Sequence, residues 1–259
     1  MSGSDKRLRK KENARAAREA REAAVKRTRR NRLLIRFAVL VAVFAIVVGV
    51  VSVVNDDDTD PGGAAERCVD TVPEPNPAND LQRDSAPPLE IDQEKTYVAT
   101  VSTTCGDFEV QLDAQNAPNT VNSFVYLANQ GFYDGLTFHR LVDDFVIQGG
   151  DPNGDGSGDP GYATPDEPPL EGYRRGSVAM ANSGPNTSGS QFFVVLSQNG
   201  AENLGGPPYA YSILGQVTSG IDVVDLLASF VNPDENEVDI STQVPTRDLY
   251  IFSVEIDES

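Results

Sequence analysis

The sequence predicts a mainly β domain that follows a single membrane-spanning helix. Three features of the 259-residue chain lead to this prediction. A largely apolar run lies near the amino terminus and is long enough to cross a membrane. After residue 95, many short segments alternate apolar and polar residues, as half-buried strands do. Only two segments in that part have helical periodicity, which favours a barrel or a sandwich over an alternating βαβ sheet.

Charge divides the chain into two parts of opposite sign. Residues 1–36 contain 14 Lys and Arg against 4 Asp and Glu, whereas the rest contains 7 against 35. The composition of this basic tail predicts a helix near a surface. Basic segments can bind nucleic-acid phosphates, but no aromatic residue precedes Phe37 to stack on bases. We therefore expect the tail to bind anionic lipid and not nucleic acid.

Residues 37–54 are apolar apart from Ser52. As a helix they would rise about 27 Å, close to the ~30 Å thickness of the hydrocarbon core. A cleaved signal peptide is the alternative, with an apolar region of about 7–15 residues before a small-x-small site. The run here is longer and three aspartates, residues 56–58, follow it closely. We predict an uncleaved anchor in the cell membrane, with the basic tail in the cytoplasm and the acidic part outside.

The acidic part divides into a linker and a globular domain. Residues 55–94 are dominated by Asp, Pro, Gly, Ala and Asn, and we expect an extended, mobile segment that buries little. The globular domain is residues 95–259. Alternation predicts its strands at 96–103, 107–112, 136–142, 145–149, 176–182, 191–197, 212–217 and 249–256. Apolar stripes predict its two helices at 119–129 and 220–230.

A stretch at residues 138–151 reads as two short strands joined by an acidic turn. Alternation assigns Phe138, Arg140 and Val142 to one face of the first strand, and Val146 and Gln148 to one face of the second, which Phe145 enters. A cation is therefore set among apolar residues, where it is costly unless its donors are satisfied. The side-chain oxygen of Gln148 is a neutral acceptor within reach of Arg140. The alternative is an arginine that extends to water.

A second stretch, residues 176–193, contains a strand, a loop rich in Gly, Pro and Asn, and another strand. Together the two stretches resemble the cyclophilin family of peptidyl-prolyl isomerases, in FHR, in F-x-IQGGD and in MAN-x-GPNT-x-GSQFF. The resemblance covers about residues 95–259 of this chain. It implies a closed eight-stranded antiparallel barrel with a helix covering each end, and rotamase activity that needs no cofactor.

The resemblance also implies a role for individual residues. Arg140 matches the catalytic arginine and Gln148 the residue that orients it. Phe145, Val146 and Phe193 match the proline pocket. The rim of the pocket, which binds peptide backbone, matches Ala181, Asn182, Ser183 and Gln191. The chain departs from the family near the pocket edge, where Leu204 replaces a frequent Trp and Tyr211 replaces a His. Because leucine lacks the ring N–H and most of the contact area, we expect weaker cyclosporin binding than in family members that have the Trp.

Isomerisation of an X-Pro bond suits this set of residues. The planar amide must twist over a barrier of about 18–20 kcal/mol, and twisting returns a lone pair to the prolyl nitrogen. A guanidinium N–H directed there bonds more strongly in the twisted state, and such differential binding accelerates a reaction. The single His139 excludes a histidine-clustered metal site. It alternates away from Arg140, and we interpret it as structural rather than as a base.

Two further features lie on the acidic side of the anchor. Cys68 and Cys105 would occupy an oxidising compartment, and we predict a disulfide that pins the linker to the domain. A buried, inert Cys105 is the alternative. Residues 151–159 match several positions of a calcium loop, but Tyr162 stands where the loop needs Glu. We interpret this segment as a solvated acidic loop and expect no metal.

The sequence thus favours a membrane-anchored prolyl isomerase that assists proteins folding outside the membrane, where X-Pro isomerisation can limit folding. Its partners would be polypeptide clients that contain proline. A non-catalytic module or chaperone that binds proline-containing segments is the alternative, although binding alone would not require Arg140. A third hypothesis assigns the function to the basic tail, through lipid or a cytoplasmic partner.

Overall fold

The computed structural model describes residues 67–74, 76–80, 82–206, 208, 210–233 and 243–259. The predicted basic tail, the predicted membrane helix at 37–54 and residues 55–66 of the linker lie outside these residues. Within the described ranges, no helix is both long and apolar enough to cross a membrane.

Within the described residues, the domain contains eight strands and three helices. The strands are β1 Tyr97–Thr103, β2 Gly106–Leu112, β3 Arg140–Val142, β4 Val146–Gly149, β5 Ser177–Met180, β6 Phe192–Val195, β7 Ile213–Ser219 and β8 Ile251–Glu258. The helices are α1 Pro118–Asn129, α2 Gln198–Asn203 and α3 Ile221–Ala228. The sequence did not predict α2, because six residues are too few to show a helical period. Its start is capped by Ser197, whose Oγ accepts a hydrogen bond from the Gly200 backbone N–H at 2.8 Å.

The strands form one antiparallel sheet in the order β3-β4-β6-β5-β7-β2-β1-β8. The described residues show a half-barrel and not the closed ladder that was expected, since β3 and β8 do not pair along their length. The two edges meet just before β3 and at the start of β8: Thr137 bridges to Tyr250, the Phe138 N–H donates to the Leu249 carbonyl at 2.8 Å, and the Ile251 N–H donates to the Leu136 carbonyl at 2.8 Å. The shortness of β3, with three residues, limits the pairing at this edge.

The two faces of the sheet bury different groups of side chains. The main core contains the largest buried residues, among them Phe108, Phe124, Tyr133, Phe138 and Phe192. The rings of Phe138 and Phe192 meet edge to face with centroids 6.3 Å apart. The prediction that Phe138 shares a face with Arg140 is therefore wrong. Phe138 precedes β3, and strand alternation does not extend to it.

The sequence predicted an extended linker up to residue 94, whereas part of this segment packs on the domain; we call its described residues, 67–74, 76–80 and 82–94, the strap. The strap packs on the domain, and its residues Cys68, Ala78 and Asn79 are buried. The predicted disulfide between Cys68 and Cys105 is present and attaches the strap to the β1–β2 turn. Farther along, the Arg83 N–H donates to the Pro160 carbonyl at 3.0 Å. A few anchoring side chains thus hold a segment whose average composition is that of a linker.

Candidate active site

The register of the sheet places four residues in one row across four strands. Arg140 on β3 pairs with Gln148 on β4, which pairs with Phe193 on β6, which pairs with Ala179 on β5. Directly opposite residues project to the same face of a sheet. Because neighbouring strands lie about 4.8 Å apart, the backbone of Arg140 is about 10 Å from that of Phe193.

Two neutral side chains hold the half-buried guanidinium of Arg140. Its Nη1 donates to Oε1 of Gln148 at 3.1 Å, as the sequence suggested. Its Nε donates to Oε1 of Gln243 at 2.6 Å. Hydrogen bonds satisfy part of the cost of burying the cation. Since both acceptors are uncharged, neither bond cancels the positive charge of Arg140.

Gln148 is itself oriented by a second glutamine. Its Nε2 donates to Oε1 of Gln191 at 2.9 Å, so its own oxygen must face Arg140. The Nε2 of Gln191 donates to the carbonyls of Gly156 and Gly158 at 3.0 and 2.9 Å. The predicted rim residue Gln191 therefore connects the acidic loop to the arginine through one chain of hydrogen bonds.

An apolar cluster lies on the same face of the sheet, beside Gln148. Buried Val146 and Phe193 are its centre, and the predicted residues Phe145, Ala181, Leu204 and Tyr211 pack against them. The rings of Phe193 and Tyr211 are perpendicular, with centroids 5.2 Å apart. The structure thus brings the predicted proline pocket together on one side of the arginine, and it does so without a tryptophan.

A cavity of about 490 Å³ adjoins this cluster and contains the predicted rim. Gln148, Ala181, Asn182, Ser183 and Gln191 all line it. Within the rim, the Nδ2 of Asn182 donates to the Ala210 carbonyl at 2.7 Å, and the Ser183 N–H donates to Oγ1 of Thr187 at 2.8 Å. These bonds fix the conformation of the loop where it lines the cavity.

Two residues of the site could not be found from the sequence. Tyr173 belongs to the apolar cluster, and its hydroxyl donates to the Tyr211 carbonyl and accepts from the Tyr211 N–H, both at 2.9 Å. Gln243 lies 103 residues from the arginine that it contacts. No motif or periodic pattern links either residue to its partner, so no local signal pointed to them.

His139 lies outside the row, as predicted, and within the described residues its ring nitrogens have no hydrogen-bond partner. Burial lowers the pKa of His139 from its ordinary value of 6.5, although Asp151 opposes this shift. The imidazole is therefore neutral at neutral pH. Its environment supports a structural role and not that of a base.

In the acidic loop, residues 151–159, the first carboxylate accepts hydrogen bonds from the backbone of the loop itself. Asp151 is almost fully buried, and it accepts hydrogen bonds from the backbone N–H groups of Asn153 at 3.0 Å, Asp155 at 2.9 Å and Gly156. These donors occupy the oxygens that a calcium ion would need. No group of His, Cys, Asp and Glu in the described part of the chain has the arrangement of a metal site.

The site thus places Arg140, an apolar cluster and the rim cavity next to one another on one face of the sheet. The chain belongs to the cyclophilin-type peptidyl-prolyl cis-trans isomerase family, whose model, described as "Cyclophilin type peptidyl-prolyl cis-trans isomerase/CLD", matches residues 98–256. Its enzyme class is therefore peptidyl-prolyl cis-trans isomerase.

Bacterial relatives have the same class. A putative peptidyl-prolyl cis-trans isomerase of Staphylococcus aureus is 34% identical over 194 residues, which cover 64% of this chain and 94% of the relative. A putative bifunctional phosphatase/peptidyl-prolyl cis-trans isomerase of Streptococcus pyogenes is 35% identical over 199 residues. This second match covers 66% of this chain but only 41% of the relative, so the chain spans less than half of that protein.

Solved structures are similar across the same region. The crystal structure of a Cryptosporidium parvum cyclophilin-type isomerase matches with a TM-score of 0.54 and 29% identity, over 63% of this chain and 99% of that chain. A crystal structure of that isomerase in the presence of the dipeptide Ala-Pro matches with a TM-score of 0.53 and 29% identity, over 62% and 99% of the two chains.

Proposed function

We propose that this domain accelerates rotation about X-Pro bonds and that Arg140 stabilises the twisted prolyl amide. One observation carries the proposal: Arg140 and Phe193 flank Gln148 in a single cross-strand row, and Gln148 accepts from the guanidinium at 3.1 Å. A cation and an apolar floor are thereby held at a fixed separation. A proline ring on Phe193 would present its amide nitrogen toward Arg140.

The apolar cluster would provide the binding energy. A proline ring removed from water against Val146, Phe193 and Tyr211 gains roughly 25 cal/mol for each Å² of apolar surface buried. This gain is the same for the planar and the twisted amide, so it holds the substrate without accelerating the reaction. The rim around Asn182 and Gln191 would hold the flanking backbone, which keeps one side of the amide fixed while the other rotates.

Arg140 would provide the interaction that is stronger with the twisted amide than with the planar one. In the planar amide the prolyl nitrogen shares its lone pair with the carbonyl and is a poor acceptor. In the twisted state the lone pair returns to the nitrogen, and a guanidinium N–H can donate to it. A hydrogen bond to a charged group contributes about 1.5–3 kcal/mol, or roughly ten- to a hundredfold in rate. No proton is transferred, so the step needs neither a base nor a cofactor.

The substrates would be polypeptides that contain proline. The related Cryptosporidium structure in the presence of Ala-Pro supports this substrate class. We further propose that residues 37–54 anchor the chain in the cell membrane and that the domain acts on clients outside it. The apolar run and the opposite charges on its two sides support this orientation.

Two measurements test the proposed function. Exchange-rate NMR with the full-length chain in mild detergent should show faster cis-trans exchange of Ala-Pro peptides than detergent alone. Peptide binding with no acceleration would instead support a non-catalytic module that binds proline-containing segments. Protease added to intact cells should digest residues 95–259. If digestion requires lysis, the domain is not outside the membrane.

A further inference from the structure

We propose that Gln243 is a positioning residue for Arg140, acting together with Gln148; this inference rests on the proposed function. Gln243 lies in the segment that leads into β8 and is only 2% exposed. A polar side chain buried to this extent needs hydrogen-bond partners, and the identity of the partner indicates what the side chain positions. Here a side-chain acceptor is directed at the arginine of the site.

Gln243 contacts β3 through both its backbone and its side chain. Its carbonyl oxygen accepts from the Leu141 N–H at 2.7 Å, and its side-chain Oε1 accepts from Nε of Arg140 at 2.6 Å. The backbone bond fixes where the Gln243 side chain starts, next to the residue after the arginine. The side-chain oxygen is therefore held at Nε by the fold and not by chance contact of two long side chains.

Two acceptors constrain the orientation of the guanidinium more than one acceptor does. The bond to Gln148 holds Nη1 but leaves Nε unconstrained by that residue. Bonds at two different nitrogens, Nη1 and Nε, fix the plane of the group. A displacement of about 1 Å from the reactive geometry can cost on the order of a hundredfold in rate. Fixing this plane is therefore expected to affect turnover more than peptide binding.

The domain offers a matched control pair away from the site. Arg174 donates from Nε to Oε1 of Gln216 at 2.8 Å, the same type of contact as that between Arg140 and Gln243. Gln216 lies on β7, where it pairs with Ser177, outside the row that contains Arg140. Methionine retains the length of glutamine and removes the acceptor. Gln243→Met and Gln216→Met therefore each delete an arginine–glutamine bond, one inside and one outside the site; Gln216→Met also removes the bonds of Gln216 with the Ser177 hydroxyl and the Arg175 carbonyl.

The experiment uses the full-length chain in mild detergent, with an Ala-Pro peptide as the probe. Exchange-rate NMR gives turnover, and titration gives the dissociation constant. We expect Gln243→Met to lower kcat by about fivefold or more, with the dissociation constant within about twofold of wild type. Gln216→Met should leave both quantities unchanged. In an Arg140→Ala background, Gln243→Met should cause no further loss, since the group that it positions is absent.

A readout independent of turnover completes the test. In wild type, the Nε–H of Arg140 should exchange with water more slowly than that of exposed Arg67, and Gln243→Met should remove this protection. A wild-type Nε–H as labile as that of Arg67 overturns the inference even if the variant does not fold. Full turnover in Gln243→Met also overturns it, provided that wild type is active. An inactive wild type instead refutes the proposed function itself.

Discussion

Gln148 lies directly opposite Arg140 in the β3–β4 ladder, and its Oε1 accepts a hydrogen bond from Nη1 of the arginine at 3.1 Å. The contact is therefore a consequence of strand register. A shift of one residue would move Gln148 to the other face of the sheet and leave the guanidinium without this acceptor. The hairpin that joins the two strands thus sets the orientation of the group that we place at the substrate.

Replacing Phe193 should weaken peptide binding, because this side chain forms the floor of the apolar cluster. Its neighbour Phe192 lies on the other face of β6, in the main core, and is equally buried. Phe193→Leu and Phe192→Leu should therefore have similar costs in the free energy of unfolding. We expect only Phe193→Leu to raise the dissociation constant of an Ala-Pro peptide, by about fivefold or more. Equal affinities in titrations of the two variants would exclude Phe193 from the binding surface.

Gly161 should be required for the strap to dock. Its φ is +92°, and a Cβ there would lie 2.5 Å from the backbone nitrogen of Arg83. Gly156, in the same loop, has a similar φ of +88°, but a Cβ there would contact nothing within 4 Å. Gly161→Ala should lower the free energy of unfolding by about 1–3 kcal/mol more than Gly156→Ala does, because only the first forces backbones apart.

Chemical denaturation gives these energies, and limited proteolysis with trypsin locates the change. Cleavage after Arg83 should be faster in Gly161→Ala than in Gly156→Ala. If the two variants unfold and are cleaved alike, the strap does not depend on its contact at Gly161.

How well the sequence predicted the site depends on the distance between partners along the chain. Arg140 and Gln148 are eight residues apart on a hairpin, so alternation and motif together were enough to pair them. Gln243 reaches the same arginine from 103 residues away, through a fold-dependent contact that leaves no local pattern.

Average composition is a poor guide to one segment. It predicted a mobile linker up to residue 94, yet the strap is attached by the disulfide at Cys68 and buries Asn79. The prediction of a closed barrel was also wrong, because it depended on strand lengths. Whether β3 and β8 pair depends on strand lengths at the two edges, which the pattern overestimated: residues 136–142 were expected, and β3 is Arg140–Val142.

Loss of the Cys68–Cys105 disulfide should destabilise the domain. The bridge closes a loop with a sequence separation of 37 residues, which restricts the unfolded chain. A loop of this length is expected to contribute about 3–4 kcal/mol to the free energy of unfolding. Urea denaturation of Cys68→Ser/Cys105→Ser should reveal this loss, and reductant should shift wild type toward the variant. A reductant effect of the same size on both proteins would contradict the prediction.

Stability should fall when the pH decreases through the range in which His139 titrates. Burial lowers its pKa from 6.5 in the folded chain, so the unfolded chain takes up the proton first. This contribution to stability is present above about pH 6.5 and is lost as the pH decreases toward the folded-state pKa. Because the chain contains one His, the effect is assignable. The Tm of wild type should decrease more than that of His139→Gln between about pH 7.5 and about pH 5.5. Parallel decreases would show that other groups cause the change.

The most direct test of the account compares Arg140→Ala with wild type and with Arg174→Ala, which removes an arginine held by a glutamine outside the site. Exchange-rate NMR and titration would use the full-length chain and the same Ala-Pro peptide. A group that bonds the prolyl nitrogen only in the twisted state should lower kcat and kcat/KM together, by at least about tenfold, with affinity changed much less. Arg174→Ala should match wild type. Equal acceleration by Arg140→Ala and wild type would contradict the role that we assign to Arg140.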